Sequence, residues 1–112
     1  MTSDEQLEGL LHKMRSVAPE YAKAKADRVY LEQFRKSKKA MLFRDAPSGT
    51  VADKENYAYS HAEYLQIIDG LREATKIEEE LKIRLKAAEL SVEIWRTQQA
   101  NMRSEKQGYG AQ

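Results

Sequence analysis

Residues 71–99 read LREATKIEEELKIRLKAAELSVEIWRTQQ. The stretch contains no proline and no glycine, and its apolar residues return every three or four positions. That period belongs to a helix, not a strand. Extended in both directions, the pattern puts Tyr57, Tyr64, Leu71, Glu78, Leu85, Val92 and Gln99 at position a of a heptad. Ser60, Ile67, Ala74, Leu81, Ala88, Trp95 and Met102 fall at position d. A stripe sustained for about six heptads is the mark of a coiled-coil seam. Small Ala74 and Ala88 alternate with large Leu81 and Trp95, which predicts close approach at the alanines and a small residue opposite the tryptophan. Trp95 has arginine, glutamine and asparagine nearby in sequence, yet it lies in register with the seam and reads as a packing residue.

From Val51 to about Glu105 there is no proline and a single glycine, Gly70. One helix of about 55 residues, roughly 80 Å long, is therefore expected. A helix of that length needs a lateral partner to bury its apolar stripe. Glu78 is the one charge in the seam, and a charge there sets register or oligomer state, pairs with a cation across the seam, or marks a bend beside Gly70.

The distal half carries a second stripe, Ile83, Ala87, Leu90 and Ile94, nearly opposite Leu81, Leu85, Ala88 and Val92 of the seam that Trp95 continues. A helix apolar on two faces is buried on two faces. One face can take the rest of the chain; the other then calls for self-association, as a dimer or higher oligomer, with both sets of residues as interface candidates. A face built for a different protein is the rival explanation.

Upstream, Ser3 and Gln6 have the form of a capping box. Leu7, Leu10, Leu11 and Met14 share one face of a first helix, from about Asp4 to Ser16 within residues 1–18. Pro19 suits a first helical turn, so a break or kink is placed at Val17–Ala18. A second helix then fills residues 19–45, from Pro19 to about Arg44. Ala22, Ala26, Val29 and Tyr30 form one of its strips, and Leu31, Phe34 and Met41 an adjacent one. DAPSGTVAD, residues 45–53, is the clear loop, and Thr50 with Asp53 starts the next helix. The loop and long helix occupy 46–105, and KQGYGAQ, residues 106–112, reads as a flexible tail. The expected fold is all-α and one domain: two shorter helices packed on one long C-terminal coiled-coil-like helix, in a helical hairpin or bundle that oligomerises.

Composition narrows the function classes. The chain has 112 residues, 33% of them charged, and no cysteine, so a disulfide framework and thiolate metal sites are excluded. No run approaches the roughly 18–20 apolar residues of a membrane span. The N-terminus is acidic and lacks a signal-peptide apolar core, which suggests an intracellular protein. Net charge is +1. Residues 19–45, however, hold eight basic and four acidic side chains. The excess sits in RKSKKAMLFR, residues 35–44.

His12 and His61 lie far apart without metal-ligand partners at helical spacing, and HAEY at 61–64 is not a zinc motif. No phosphate-binding glycine loop and no nucleophile with a base is present. An enzyme is not expected, nor a metal, a cofactor or a small-molecule substrate. The basic cluster Arg35, Lys36, Lys38, Lys39 and Arg44 is the one feature that points to a ligand. Lysine and arginine give salt-sensitive phosphate contacts, and Tyr30, Phe34 and Phe43 offer stacking surfaces for unpaired bases. The alternative is an ordinary solvated helix end, where cations complement the dipole.

Three stretches, EYAKAKADRVYLEQFRKSKKAMLF (20–43), GTVADKENYAYSHAEY (49–64) and RLKAAELSVEIWRTQQANMR (84–103), together resemble a family of small helical phage and prophage proteins. The closing pattern is the most distinctive part, with Trp95, Arg96, Ala100, Asn101 and Arg103 matching. Leu85 departs from it, standing where the looser pattern often has lysine. The resemblance implies a helper role in phage DNA recombination or replication. That role would use single-stranded DNA, or a recombinase or single-strand-binding protein, as partner, in the cytoplasm of an infected or lysogenic bacterium. It also makes Arg96 and Arg103, with Gln99 and Asn101, a polar tip able to contact nucleic acid or a partner. Two other classes stay open: a phage-encoded inhibitor that occludes a host defence protein, and a structural coiled-coil scaffold.

Overall fold

A computed structural model describes residues 2–110. It contains three helices: α1 (Ser3–Asp45), α2 (Val51–Ser60) and α3 (Ala62–Gly110). No strand is present among the described residues. None of their helices is long and apolar enough to cross a membrane.

The chain divides into two compact units, one made of residues 1–21 with 81–112, the other of residues 22–80. In the first unit, Leu7, Leu10, Met14, Val17 and Tyr21 of α1 are buried or half-buried, and so are Leu81, Leu85, Ala88, Val92 and Trp95 of α3. In the second, Ala24, Arg28, Leu31, Arg35, Lys38 and Leu42 lie on the covered face of α1, and Tyr64, Ile67, Leu71, Ala74 and Glu78 on that of α3. The steps alternate between three and four on both helices. The heptad read from residues 71–99 is therefore the buried seam of α3, and its partner is the chain's own α1. Leu81, Leu85, Ala88, Val92 and Trp95 are thus removed from the candidate oligomer interface.

Trp95 closes the first unit. Its indole N–H donates to the carbonyl oxygen of Ser3 at 3.1 Å, and Gln99 donates to the Ser3 hydroxyl at 2.8 Å. The ring packs in the seam while its polar edge satisfies a backbone acceptor at the start of α1. The cap of α1 is Thr2 rather than Ser3: its hydroxyl accepts the amide of Glu5 at 3.2 Å.

Three helix boundaries differ from the sequence expectation. α1 runs uninterrupted through Pro19, so the break at Val17–Ala18 is absent. Pro19 is exposed, and the seam positions Met14, Val17, Tyr21 and Ala24 continue across it without a change of step. Burial on that face holds the helix together where proline removes one backbone hydrogen bond. The expected 51–105 helix is in fact two, parted at His61. His61 is extended (φ −67°, ψ 138°) and its N–H donates to the Ala58 carbonyl at 3.4 Å. Its ring Nδ1 accepts the Glu63 amide at 3.1 Å and its carbonyl accepts the Leu65 amide at 3.1 Å, so the histidine ends α2 and caps α3. Finally, α3 continues through 106–110, most of the expected tail; residues 111–112 lie outside the described residues.

The Thr50–Asp53 capping box forms as the sequence indicates, with Asp53 N–H donating to the Thr50 hydroxyl at 3.1 Å and Thr50 N–H to the Asp53 carboxylate at 3.0 Å. The hydrogen bond from the Thr50 amide, and then the one involving the Thr50 side chain, hold the Asp53 carboxyl below its ordinary range. A carboxyl depressed in the folded state contributes stability above its unfolded pKa, and loses it as pH falls through the folded value. Acidification below the ordinary carboxylate range is therefore expected to loosen the start of α2. The Thr50 amide resonance should move with pH in the wild type and stay put in Asp53→Asn.

Candidate nucleic-acid interface

The second unit holds the basic cluster. α1 delivers the cations from its last turns, and α2 folds back so that Ala58, fully buried, packs with Leu42, Tyr64 and Ile68. This contact carries Tyr59 and Tyr64 to the basic side chains. Arg35, Lys36 and Lys39 together with Tyr59 and Tyr64 line a cavity of about 250 Å³. Tyr59 is 44% exposed and Tyr64 is buried, and their rings meet edge to face with centroids 5.5 Å apart. Lys39 Nζ stands 4.4 Å from the centre of the Tyr59 ring. Hydrogen bonding to Tyr59 holds the Lys39 ammonium above the ordinary lysine range, against the opposing effect of partial desolvation.

The remaining candidates lie elsewhere. Lys38 pairs with Glu63, which holds the Glu63 carboxyl below its usual range. Lys38 also borders a separate groove of about 450 Å³ with Tyr30, Phe34 and Ile67. Tyr30 and Phe34 stack on each other there, centroids 6.0 Å apart, so these two aromatics do not serve the basic cleft. Phe43 lies under the Lys54 ammonium, 5.9 Å from its ring centre. Arg44 is exposed and hydrogen-bonds its neighbour Asp45 at 3.5 Å.

Arg96 and Arg103 belong to the first unit, where they line a cavity of about 290 Å³ with Ser3, Asp4, Trp95 and Gln99. Arg96 pairs with Glu93 at 3.0 Å and Asp4 adds a carboxylate to the lining, so this cavity carries charges of both signs. Of the seven basic residues singled out by sequence, the structure brings three into one aromatic-lined cleft. Sequence reasoning missed Tyr59 and Tyr64. The available signal was YAYSHAEY, residues 57–64, three tyrosines directly after the loop that reverses the chain.

The charged position in the α3 seam is explained in the same unit. Glu78 is buried and receives a two-pronged contact from Arg28, with Nε and Nη2 donating to its two carboxylate oxygens. Arg28 also donates to Glu32 at 2.9 Å. Hydrogen bonding to Glu78, then to Glu32, raises the guanidinium pKa further above its already high value. The cation that answers Glu78 thus comes from the chain itself. Among the described residues no group of three histidine, aspartate or glutamate side chains is placed to hold a metal ion.

No family model, curated protein or solved structure matches this chain.

Proposed function

We propose that the Arg35–Lys36–Lys39–Tyr59–Tyr64 cleft binds single-stranded nucleic acid. The protein would then be a non-enzymatic accessory factor, in the phage recombination or replication setting that its sequence resemblance implies. The observation that carries this reading is the convergence of three cations and two tyrosine rings on one cavity of about 250 Å³. A cavity of that size takes a nucleotide unit rather than a duplex. Cations track the phosphate while an exposed ring offers a stacking face to any unpaired base, which gives binding with little sequence preference. Tyr59 supplies the stacking face, and Arg35, Lys36 and Lys39 the phosphate contacts.

Three phosphate contacts predict a slope of roughly −2 in log affinity against log salt for a single strand. Fluorescence anisotropy with a labelled 20-mer at several salt concentrations measures it, with the duplex of the same sequence as comparison. Lys36→Glu with Lys39→Glu is expected to flatten the slope and weaken binding by about 100-fold. Tyr59→Ala should weaken it by about 10-fold with little change in slope, as fits a stacking contribution of 1–3 kcal/mol. Arg96→Glu with Arg103→Glu should leave both quantities close to wild type. No retention of the single strand at 50 mM salt, or equal affinity of the Lys36/Lys39 variant, overturns the proposal. Co-purification with a single host protein in the absence of DNA affinity would favour occlusion of that protein instead.

A further inference from the structure

The second apolar stripe on α3 is left uncovered by the chain. Ile83, Leu90 and Ile94 are 65%, 58% and 57% exposed, and Ala87 between them is exposed as well. At 100° per residue the four fall within about 60° of one another, nearly opposite Ala88 and Val92, which are buried. All four belong to the first unit, so the inference is independent of the cleft in the second.

We propose that this stripe is the contact with a second copy of the chain, α3 against α3, antiparallel about a two-fold axis between Ala87 and Leu90. The stripe is complementary to itself in that arrangement. Ile83 meets the partner copy's Ile94 at the ends, and Ala87 meets the partner copy's Leu90 at the two central crossings, small against large. Other antiparallel registers, one heptad away, set Glu80 against Leu90 or Asn101 against Ile83 and lose half of the apolar overlap.

Charge decides between the two directions. Lys86 and Glu93 flank the stripe on the same side. Under the two-fold axis each Lys86 lies beside the partner copy's Glu93, giving two opposite-charge pairs. Glu80, one turn before Ile83 on the same stripe, then faces Thr97. In the parallel arrangement the two Glu80 side chains meet at the end of the contact, and Ala87 meets Ala87, leaving a gap beside a Leu90 pair. Parallel pairing would also set Glu79 beside the partner copy's Arg84, but those attractions sit next to the Glu80 repulsion.

The contact spans about 12 residues, roughly 18 Å of helix. Its buried area falls below the approximately 1,200 Å² of stable complexes, so the dimer is a weak one, formed at high micromolar concentration. Sedimentation of the full chain from about 10 µM to 1 mM should pass from monomer toward dimer. Leu90→Glu should remain monomeric throughout with an unchanged far-UV circular dichroism spectrum. Lys86→Glu and Glu93→Lys should each weaken the dimer about tenfold, and the two together should restore it, which a merely destabilising change would not do.

Cysteine substitutions read the direction, since the chain has no cysteine of its own. Antiparallel pairing leaves the two copies of position 94 about 16 Å apart along the helix axis. Ile94→Cys alone should therefore not cross-link on oxidation, whereas Ile83→Cys combined with Ile94→Cys should. A wild-type monomer at 1 mM overturns the dimer, and efficient cross-linking of the single Ile94→Cys variant overturns its direction.

Discussion

Glu78→Ala is expected to lower the thermal unfolding midpoint by on the order of 10 °C. Glu78 is 5% exposed and its two carboxylate oxygens meet Arg28. Removing the carboxylate leaves the Arg28 guanidinium in the seam without its two-pronged contact, held to Glu32 at 2.9 Å. Removing both charges is a different experiment. Arg28→Met with Glu78→Leu supplies apolar volume on both sides and is expected to recover the wild-type midpoint or exceed it, because desolvating two ions offsets most of their attraction. Glu78→Gln should fall between. A midpoint for Glu78→Ala within about 2 °C of wild type would show that the pair contributes nothing to stability. A double variant less stable than Glu78→Ala would show that the pair is better than an apolar seam.

The second large effect belongs to Leu42. It is 5% exposed and forms the small core that joins α2 to the rest of its unit, with Ala58, Tyr64 and Ile68. Leu42→Ala removes a buried side chain whose neighbours are held on two other helices, α2 and α3, and cannot all close in. A loss of about 2–5 kcal/mol follows, measured by urea denaturation. Leu42→Met keeps the volume and should lose less than about 1.5 kcal/mol. The consequence reaches the cleft, because Tyr59 and Tyr64 flank the same packing contact. α2 is only 10 residues long and has little stability of its own. Hydrogen exchange of the α2 amides in Leu42→Ala should accelerate more than that of the α1 amides near Val17. Uniform acceleration would show that α2 does not open separately.

Residues 71–99 determined the most by themselves. Their three-four spacing fixes a helix and gathers the heptad residues on one face of it, and every one of those positions from Tyr64 to Gln99 is buried or half-buried. The Thr50–Asp53 box is likewise a local matter, settled within one turn. Loss of the helix at His61 was harder to read. Histidine is not a usual cap, and Ser60, the better candidate three residues before Glu63, turns its hydroxyl back to the Asn56 carbonyl at 2.6 Å. Continuity through Pro19 was illegible for the opposite reason: local chemistry argues for a break, and burial on the far face overrides it.

Tertiary structure alone decided which apolar face of α3 the chain covers for itself. Both faces carry residues of similar size, and helical periodicity ranks neither above the other. Packing chose Leu85, Ala88, Val92 and Trp95 because α1 presents a matching seven-residue repeat, and left Ile83, Leu90 and Ile94 in solvent. The same holds for the basic cluster. Seven cations stand out along the sequence, but a cleft needs side chains from elements far apart in the chain. Nothing local to Arg35, Lys36 and Lys39 says that Tyr59 and Tyr64 come back to meet them. A sequence records the period of each helix, since that depends on neighbours within a few residues; which helices meet depends on burial summed over the whole chain.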